Sequence, residues 1–267
     1  MPVAPDRRAL KRRLDSFFVT NRTGEMVALR AVLAARFHDF QRVAVIGGLV
    51  RDFAREGRTG FRSDVDLVIE APASQVQALA LELKAVANRF GGYGFRDGPW
   101  RIDFWALETT WAARHAGVRL TCLEDVLRCT FFDWDAAAYD LKTRRVLCSD
   151  DYLERMRQGV LDINLRDSPS PRGNLLRAIR RLALWRARPG PGLRSFIDQH
   201  LDDAMFQELQ IYERQQRFSQ LVMPRWADAF SARRGLLEHV DPDASLSQPS
   251  LPLTNPGLKQ LKPLPTR

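Results

Sequence analysis

The stretch "VAVIGGLVRDFAREG" at 43–57 restricts the chain path more than any other segment. Val43 to Ile46 form a short apolar run that reads as a buried strand. Gly47 and Gly48 end it, and a helical pattern over 49–56 follows at once. A strand passing into a helix through two glycines must turn sharply. Such a turn exposes backbone N–H groups beside the positive end of the helix, a cradle for phosphate. Arg51 and Asp52 fall in the first helical turn, where Asp52 suits the helix dipole and Arg51 would meet a phosphate or a carboxylate.

Just downstream, "SDVDLVIEA" alternates with period two. Val65, Leu67 and Ile69 share one strand face, and Asp64 and Asp66 share the other. Two carboxylates side by side repel unless a cation lies between them, and a divalent ion with oxygen ligands, Mg²⁺ or Mn²⁺, fits best. "RIDFWAL" repeats the pattern, with Ile102, Phe104 and Ala106 on one face and Arg101, Asp103 and Trp105 on the other. If that strand lies beside 65–70, Asp103 joins the pair, and three carboxylates can hold two metal ions for phosphoryl or nucleotidyl transfer. A D-x-D pair is a cheap pattern by itself: "DWD" supplies another at Asp133 and Asp135.

The wider pattern predicts helix 25–38, strand 43–46, helix 49–56, strand 65–70, helix 74–89, a "GGYG" turn and strand 101–107. This alternation predicts an α/β (α+β) class, a small mixed sheet flanked by helices. Residues 121–165 add a short helix and the strands "AAAYDLKT" and "RVLCS". "DSPSPRG" at 167–173 reads as a boundary, and the chain beyond it is helical. The expected organisation is a basic N-terminal helix at 1–24, a head at 25–166, a helical neck and body at 167–240, and a Pro/Ser/Leu-rich tail at 241–267.

Among its 267 residues the chain carries a formal net charge of +9, a surplus that favours a polyanionic partner such as nucleic acid or nucleotide. No apolar run approaches the roughly 20 residues needed to cross a bilayer, so no membrane role is expected. Three cysteines without metal-ligand spacing point to a reducing compartment, and a cytoplasmic location is expected. The four scattered histidines give no sign of a zinc site or a catalytic triad.

Taken together, "IGGLVRD … SDVDLVIEA … RIDFW … AAAYD … LLRAIRRLAL" resembles the head and neck of the class II CCA-adding tRNA nucleotidyltransferases and bacterial poly(A) polymerases, within the polymerase-β-like superfamily. The resemblance spans roughly 25–185. It implies a nucleotidyltransferase head followed by an all-helical neck and body. It also implies that Asp64, Asp66 and Asp103 are catalytic and bind metal, while Gly47, Gly48, Arg51 and Asp52 serve the phosphates. Tyr139 and Asp140 match an Ala-x-Ala-Tyr-Asp element, and Arg177 matches the second arginine of the neck motif. The family pattern Arg-Arg-Asp-Phe-Thr-x-Asn is replaced here: Cys129 and Thr130 stand for the arginines, Phe131 for the aspartate and Asp135 for the asparagine. Arg128 would compensate in a register shifted by one, so Arg128, Asp135 and Arg177 join the nucleotide-binding set. Ser170, Pro171 and Asn174 occupy the rest of the base-reading motif, which implies that base selection and tRNA measuring are lost or rebuilt.

The implied activity is metal-dependent transfer of NMP from an NTP, ATP or CTP, to an acceptor hydroxyl with release of pyrophosphate. The basic charge makes an RNA 3′ end, tRNA-like, the leading acceptor. Lys11, Arg12, Arg13, Arg180, Arg181, Arg186 and Arg188 are the expected RNA-backbone contacts, each equally compatible with a solvated helix face. Two alternatives stay open: a toxin or defence-type transferase acting on another acceptor, and a catalytically silent RNA-binding paralogue.

Overall fold

The computed structural model describes residues 2–57, 64–216 and 218–238. The expected tail at 241–267 lies outside the described residues. The elements in order are α1 (Arg7–Asp15), a π-turn (Ser16–Thr20), α2 (Gly24–Phe37), β1 (Val43–Ile46), α3 (Gly48–Arg55), β2 (Val65–Ile69), α4 (Ala73–Glu82), β3 (Val86–Ala87), β4 (Tyr93–Asp97), β5 (Trp100–Ala106) and α5 (Trp111–His115). There follow β6 (Ala137–Asp140), β7 (Arg145–Cys148), α6 (Tyr152–Arg157), β8 (Val160–Leu161), α7 (Pro171–Trp185), β9 (Arg188–Pro189), α8 (Pro191–His200), α9 (Asp203–Gln215) and α10 (Ala229–Leu237). Short 3₁₀ turns span Leu123–Cys129 and Asp133–Asp135.

Strands β3-β4-β5-β2-β1-β6-β7 form one sheet in that order. β2 and β5 run parallel, and the other neighbouring pairs are antiparallel. Period-two alternation divides the sheet into two faces. Val43, Val45, Val65, Leu67, Ile69, Ile102, Phe104, Ala137 and Tyr139 enter the main core, which the helices cover. Ala44, Ile46, Val68, Ala138 and Leu147 face a smaller core closed by Leu107, Leu123 and Val126. Asp66 and Asp103 are on this second face, in phase with Val68 and Trp105 along their strands.

The N-terminal helix belongs to the main core. Leu10 and Leu14 are fully buried, and the π-turn that follows carries the buried Phe17 and Phe18. Phe18 stacks on Tyr139, with ring centroids 5.5 Å apart.

Two local expectations need correction. The helix predicted over 74–89 ends at Glu82, with Leu83 as its cap. Lys84 turns left-handed at φ 52°, and the amides of Lys84 and Ala85 return to the carbonyls of Leu81 and Ala80. Val86 and Ala87 then pair with Gly94 and Tyr93, and this non-local pairing outweighs local helix propensity. Only the first part of the "GGYG" segment is a turn. Its Tyr93 opens β4, and the Asn88 side chain closes the loop by accepting from the amides of Phe90 and Gly92.

Helix α7 starts on a proline at its first turn, where no N–H partner is lost. It buries Leu175, Leu176, Ala178, Ile179 and Leu182 and ends at the left-handed Arg186. α8, α9 and α10 pack around it. Glu213 on α9 is buried and accepts from the amides of Val222 and Met223 at 2.9 Å and from Arg180. These bonds offset the cost of burying its charge.

Candidate active site

The β2–β5 register sets Asp66 directly beside Asp103, and Val65 beside Ile102. Asp64 and Arg101 immediately precede that pair of partners. Asp64 is half exposed, while Asp66 and Asp103 are partly buried. Burial first, then the charges of Asp103 and Asp64, push the Asp66 carboxyl up to about 7. Burial likewise raises Asp103, reinforced by Asp64 and opposed by Arg101. The three carboxylates therefore form a site that is short of positive charge.

Strand β4 makes room for this arrangement. Gly94 pairs with Asp103, and a Cβ at Gly94 would sit 2.2 Å from Asp103 Oδ1. A larger residue there would therefore push the Asp103 carboxylate out of its place. Arg101 Nε lies 3.3 Å from Asp103 Oδ2 and 3.7 Å from Asp64 Oδ2. The sequence reading placed Arg101 on this face but gave neither it nor Gly94 a role. Gly94 looks like one more turn glycine until the register is known.

β1 runs antiparallel to β2, with Val45 opposite Leu67. The glycines that follow β1 therefore reach the end of β2 where the aspartates begin. Gly47 adopts φ 73° and ψ −123°, a conformation suited to glycine. A Cβ there would meet nothing within 4 Å, so backbone conformation rather than space demands the residue. The expectation of uncovered amides is corrected at Gly47, whose N–H donates to the Ala137 carbonyl at 3.1 Å. The helix N-terminal amides begin at Gly48.

Arg51 and Asp52 are both buried. Arg51 donates through Nε and Nη2 to Asp52 Oδ1 at 2.9 and 2.7 Å, and through Nη1 to Asp135 Oδ1 at 2.6 Å. Arg181 Nη1 reaches Asp135 Oδ2 at 2.8 Å. Asp135 is thus clamped between α3 of the sheet region and α7 of the helical region. Burial pushes its carboxyl up, but Arg181 and Arg51 outweigh that and hold it well below the carboxylate range. Burial lowers Arg181 to about 10. Trp185 stacks parallel to Trp134 at 6.0 Å, with the Arg55 and Arg51 guanidinium carbons 4.2 and 5.0 Å from its ring centroid.

In this cluster both Asp135 oxygens serve arginines. Arg177 comes nearer the carboxylates. It is exposed, donates to Asn174 Oδ1, and feels the charges of Asp135 and Asp66. Arg128 is elsewhere, half exposed and paired with Asp125 at 2.8 Å beside a separate cavity of about 360 Å³ lined by Asp133, Trp134 and Arg155.

The expected RNA-facing set divides in the same way. Arg181 is buried on Asp135, Arg180 is tied to Glu213, and Arg13 donates to the carbonyls of Phe53, Ala54 and Pro2. These three serve the fold. Lys11 pairs with Asp15 at 2.5 Å on a partly exposed face, and Arg12, Arg186 and Arg188 are exposed.

The donor set suits a hard divalent cation: all donors are carboxylate oxygens, and two of the carboxyls are raised by burial and then by their neighbours' charge. Among the described residues, no group of three or more His, Cys, Asp or Glu side chains is arranged to hold an ion unaided. Mg²⁺ is commonly bound by one or two carboxylates together with water and substrate phosphate.

No family model matches the sequence, and no curated protein matches it. Solved structures do match by shape. A CCA-adding enzyme in complex with CTP aligns over 90% of this chain and 55% of its own, at 17% identity and a TM-score of 0.51. A tRNA-processing enzyme in an apo form aligns over 70% of this chain and 49% of its own, at 18% identity and a TM-score of 0.47. The Bacillus stearothermophilus CCA-adding enzyme in complex with CTP aligns over 70% and 48%, at 15% identity and a TM-score of 0.47. The chain spans about half the length of these structures. Across nine-tenths of its length, this chain has the fold of a CCA-adding enzyme.

Proposed function

We propose that the chain is a metal-dependent nucleotidyltransferase that moves NMP from an NTP, ATP or CTP, to an acceptor hydroxyl with release of pyrophosphate. The acceptor we assign is an RNA 3′ end of the tRNA kind. The observation that carries this reading is the convergence of Asp64, Asp66 and Asp103 beside the glycine turn that opens α3. Further support comes from the CCA-adding enzyme of the same fold, which was solved with CTP.

In this reading Asp66 and Asp103 hold Mg²⁺ or Mn²⁺, and Asp64 completes the site from its exposed edge. When bound, the ion neutralises triphosphate charge and activates the attacking hydroxyl. The helix end at Gly48 orients the phosphates. Arg177, held by Asn174, lends positive potential to the carboxylate site. Arg51 and Arg181 act through Asp135, fixing α3 against α7 beside the carboxylates. Exposed Arg12, Arg186 and Arg188 remain available to an RNA backbone.

The test offers labelled ATP, CTP, GTP and UTP separately, with Mg²⁺ or Mn²⁺, to tRNA, to total RNA and to the protein alone. The expected result is incorporation of CTP or ATP into RNA that disappears in the Asp64→Ala/Asp66→Ala protein. Absence of any transfer or pyrophosphate release dependent on those aspartates would refute it. A second reading keeps the chemistry and changes the acceptor. It is favoured by Asn174, a buried amide committed to Ser168 and Arg177 where the resemblance expects a base-reading group. Label entering another RNA or the protein itself, with none in tRNA, would select it.

A further inference from the structure

We propose that Arg101 is a built-in counter-cation that occupies the carboxylate site until the divalent metal displaces it, and so sets the metal concentration at which the site loads. This rests on the metal-binding reading of Asp64, Asp66 and Asp103.

Arg101 shares its strand face with Asp103, two residues away, and its Nε spans Asp103 Oδ2 at 3.3 Å and Asp64 Oδ2 at 3.7 Å. One guanidinium thus bridges two carboxylates of the trio, on the side open to solvent. Across the β4–β5 hairpin Arg101 pairs directly with Arg96. Like charges facing each other across strands are unfavourable unless anions lie alongside, and here the aspartates are those anions.

Arg101 is also built to leave. Its side chain is 51% exposed, its contacts are longer than the tight buried pairs around Asp135, and its long stem can swing outward. A divalent ion needs Asp103 oxygens at short range and cannot share that position with a guanidinium. When the ion arrives, the displaced Arg101 comes to lie beside the carboxylate site, where a polyphosphate is its natural next partner. Charge is then conserved along the path: the carboxylates exchange one cation for another, and the freed arginine exchanges carboxylate for phosphate.

The test is a titration of the full chain with Mn²⁺ alone, read by the electron paramagnetic resonance signal of the free ion, on wild type, R101Q, R101K and D66N. Removing one positive charge at this range, in a site open to water and salt, should tighten Mn²⁺ binding roughly tenfold in R101Q. R101K keeps the charge and should stay within about threefold of wild type. D66N should lose the site. Without metal, R101Q should melt below wild type because the carboxylates are left facing one another, and Mn²⁺ should raise its Tm more than that of wild type. Asp66-dependent binding that is equal or weaker in R101Q would overturn the role of Arg101 and leave the metal reading intact. Absence of Asp66-dependent binding in both wild type and R101Q would overturn both.

Discussion

Replacing Asp135 with asparagine separates two roles for this residue. The resemblance assigns it to the nucleotide; the structure makes it the anion between Arg51 at 2.6 Å and Arg181 at 2.8 Å. The substitution keeps the shape and removes the charge. The local sum then changes from two buried arginines, Arg51 and Arg181, facing Asp52 and Asp135 to two facing Asp52 alone, with the exposed Arg177 adding its positive field. Breaking a buried pair by deleting one partner costs about 3–5 kcal/mol, because the other charge is left uncompensated. Two guanidiniums lose a partner here, but the new amide oxygen can still accept from one, so about 3 kcal/mol is expected. Urea denaturation at pH 7 measures this as a lower midpoint at unchanged slope. Adding Arg181→Met to D135N should recover part of the loss, since it deletes one of the orphaned charges. A D135N protein within about 0.5 kcal/mol of wild type, yet impaired in NTP binding, would refute the clamp and restore the nucleotide-binding role.

Three further outcomes follow from individual contacts. Gly94→Ala drives its methyl onto Asp103 Oδ1, so transfer should fall by about 100-fold while stability changes by less than about 1 kcal/mol, because only a flexible side-chain tip must move; parallel activity and melting measurements decide. Leu14→Ala, at a fully buried position of α1, should cost about 2–5 kcal/mol in urea unfolding, whereas a near-neutral result would mean that α1 is peripheral to the core. For Asp15, burial raises the carboxyl, but hydrogen bonds from Arg144, Lys11 and Tyr139 prevail and hold it at about 2, below the ordinary value of 3.8. A depressed carboxyl stabilises the fold above its unfolded pKa, and that stability is lost as pH falls through the folded value. Asp15→Asn should therefore be less stable than wild type by up to about 2 kcal/mol at pH 6, with the gap closing between pH 4 and pH 2.

The chain's own periodicity determined much of this protein. Alternation in "SDVDLVIEA" and "RIDFWAL" placed the aspartates on one face, and the glycine pair after β1 marked the sharp turn into α3. These features are local: they depend on neighbours a few residues away and survive any tertiary arrangement. Only the tertiary structure decided the rest. The stop of α4 at Glu82 came from pairing between β3 and β4, and the tight fit at Gly94 came from a side chain on another strand. The arginines show the limit most clearly. Arg12 and Arg13 are adjacent, and so are Arg180 and Arg181, yet Arg12 is exposed while Arg13, Arg180 and Arg181 meet carbonyls, Glu213 and Asp135 inside the fold. Which cation faces solvent and which closes a buried network depends on partners far along the chain, 33 residues away for Arg180 and 40 for Arg13, for which local pattern carries no signal.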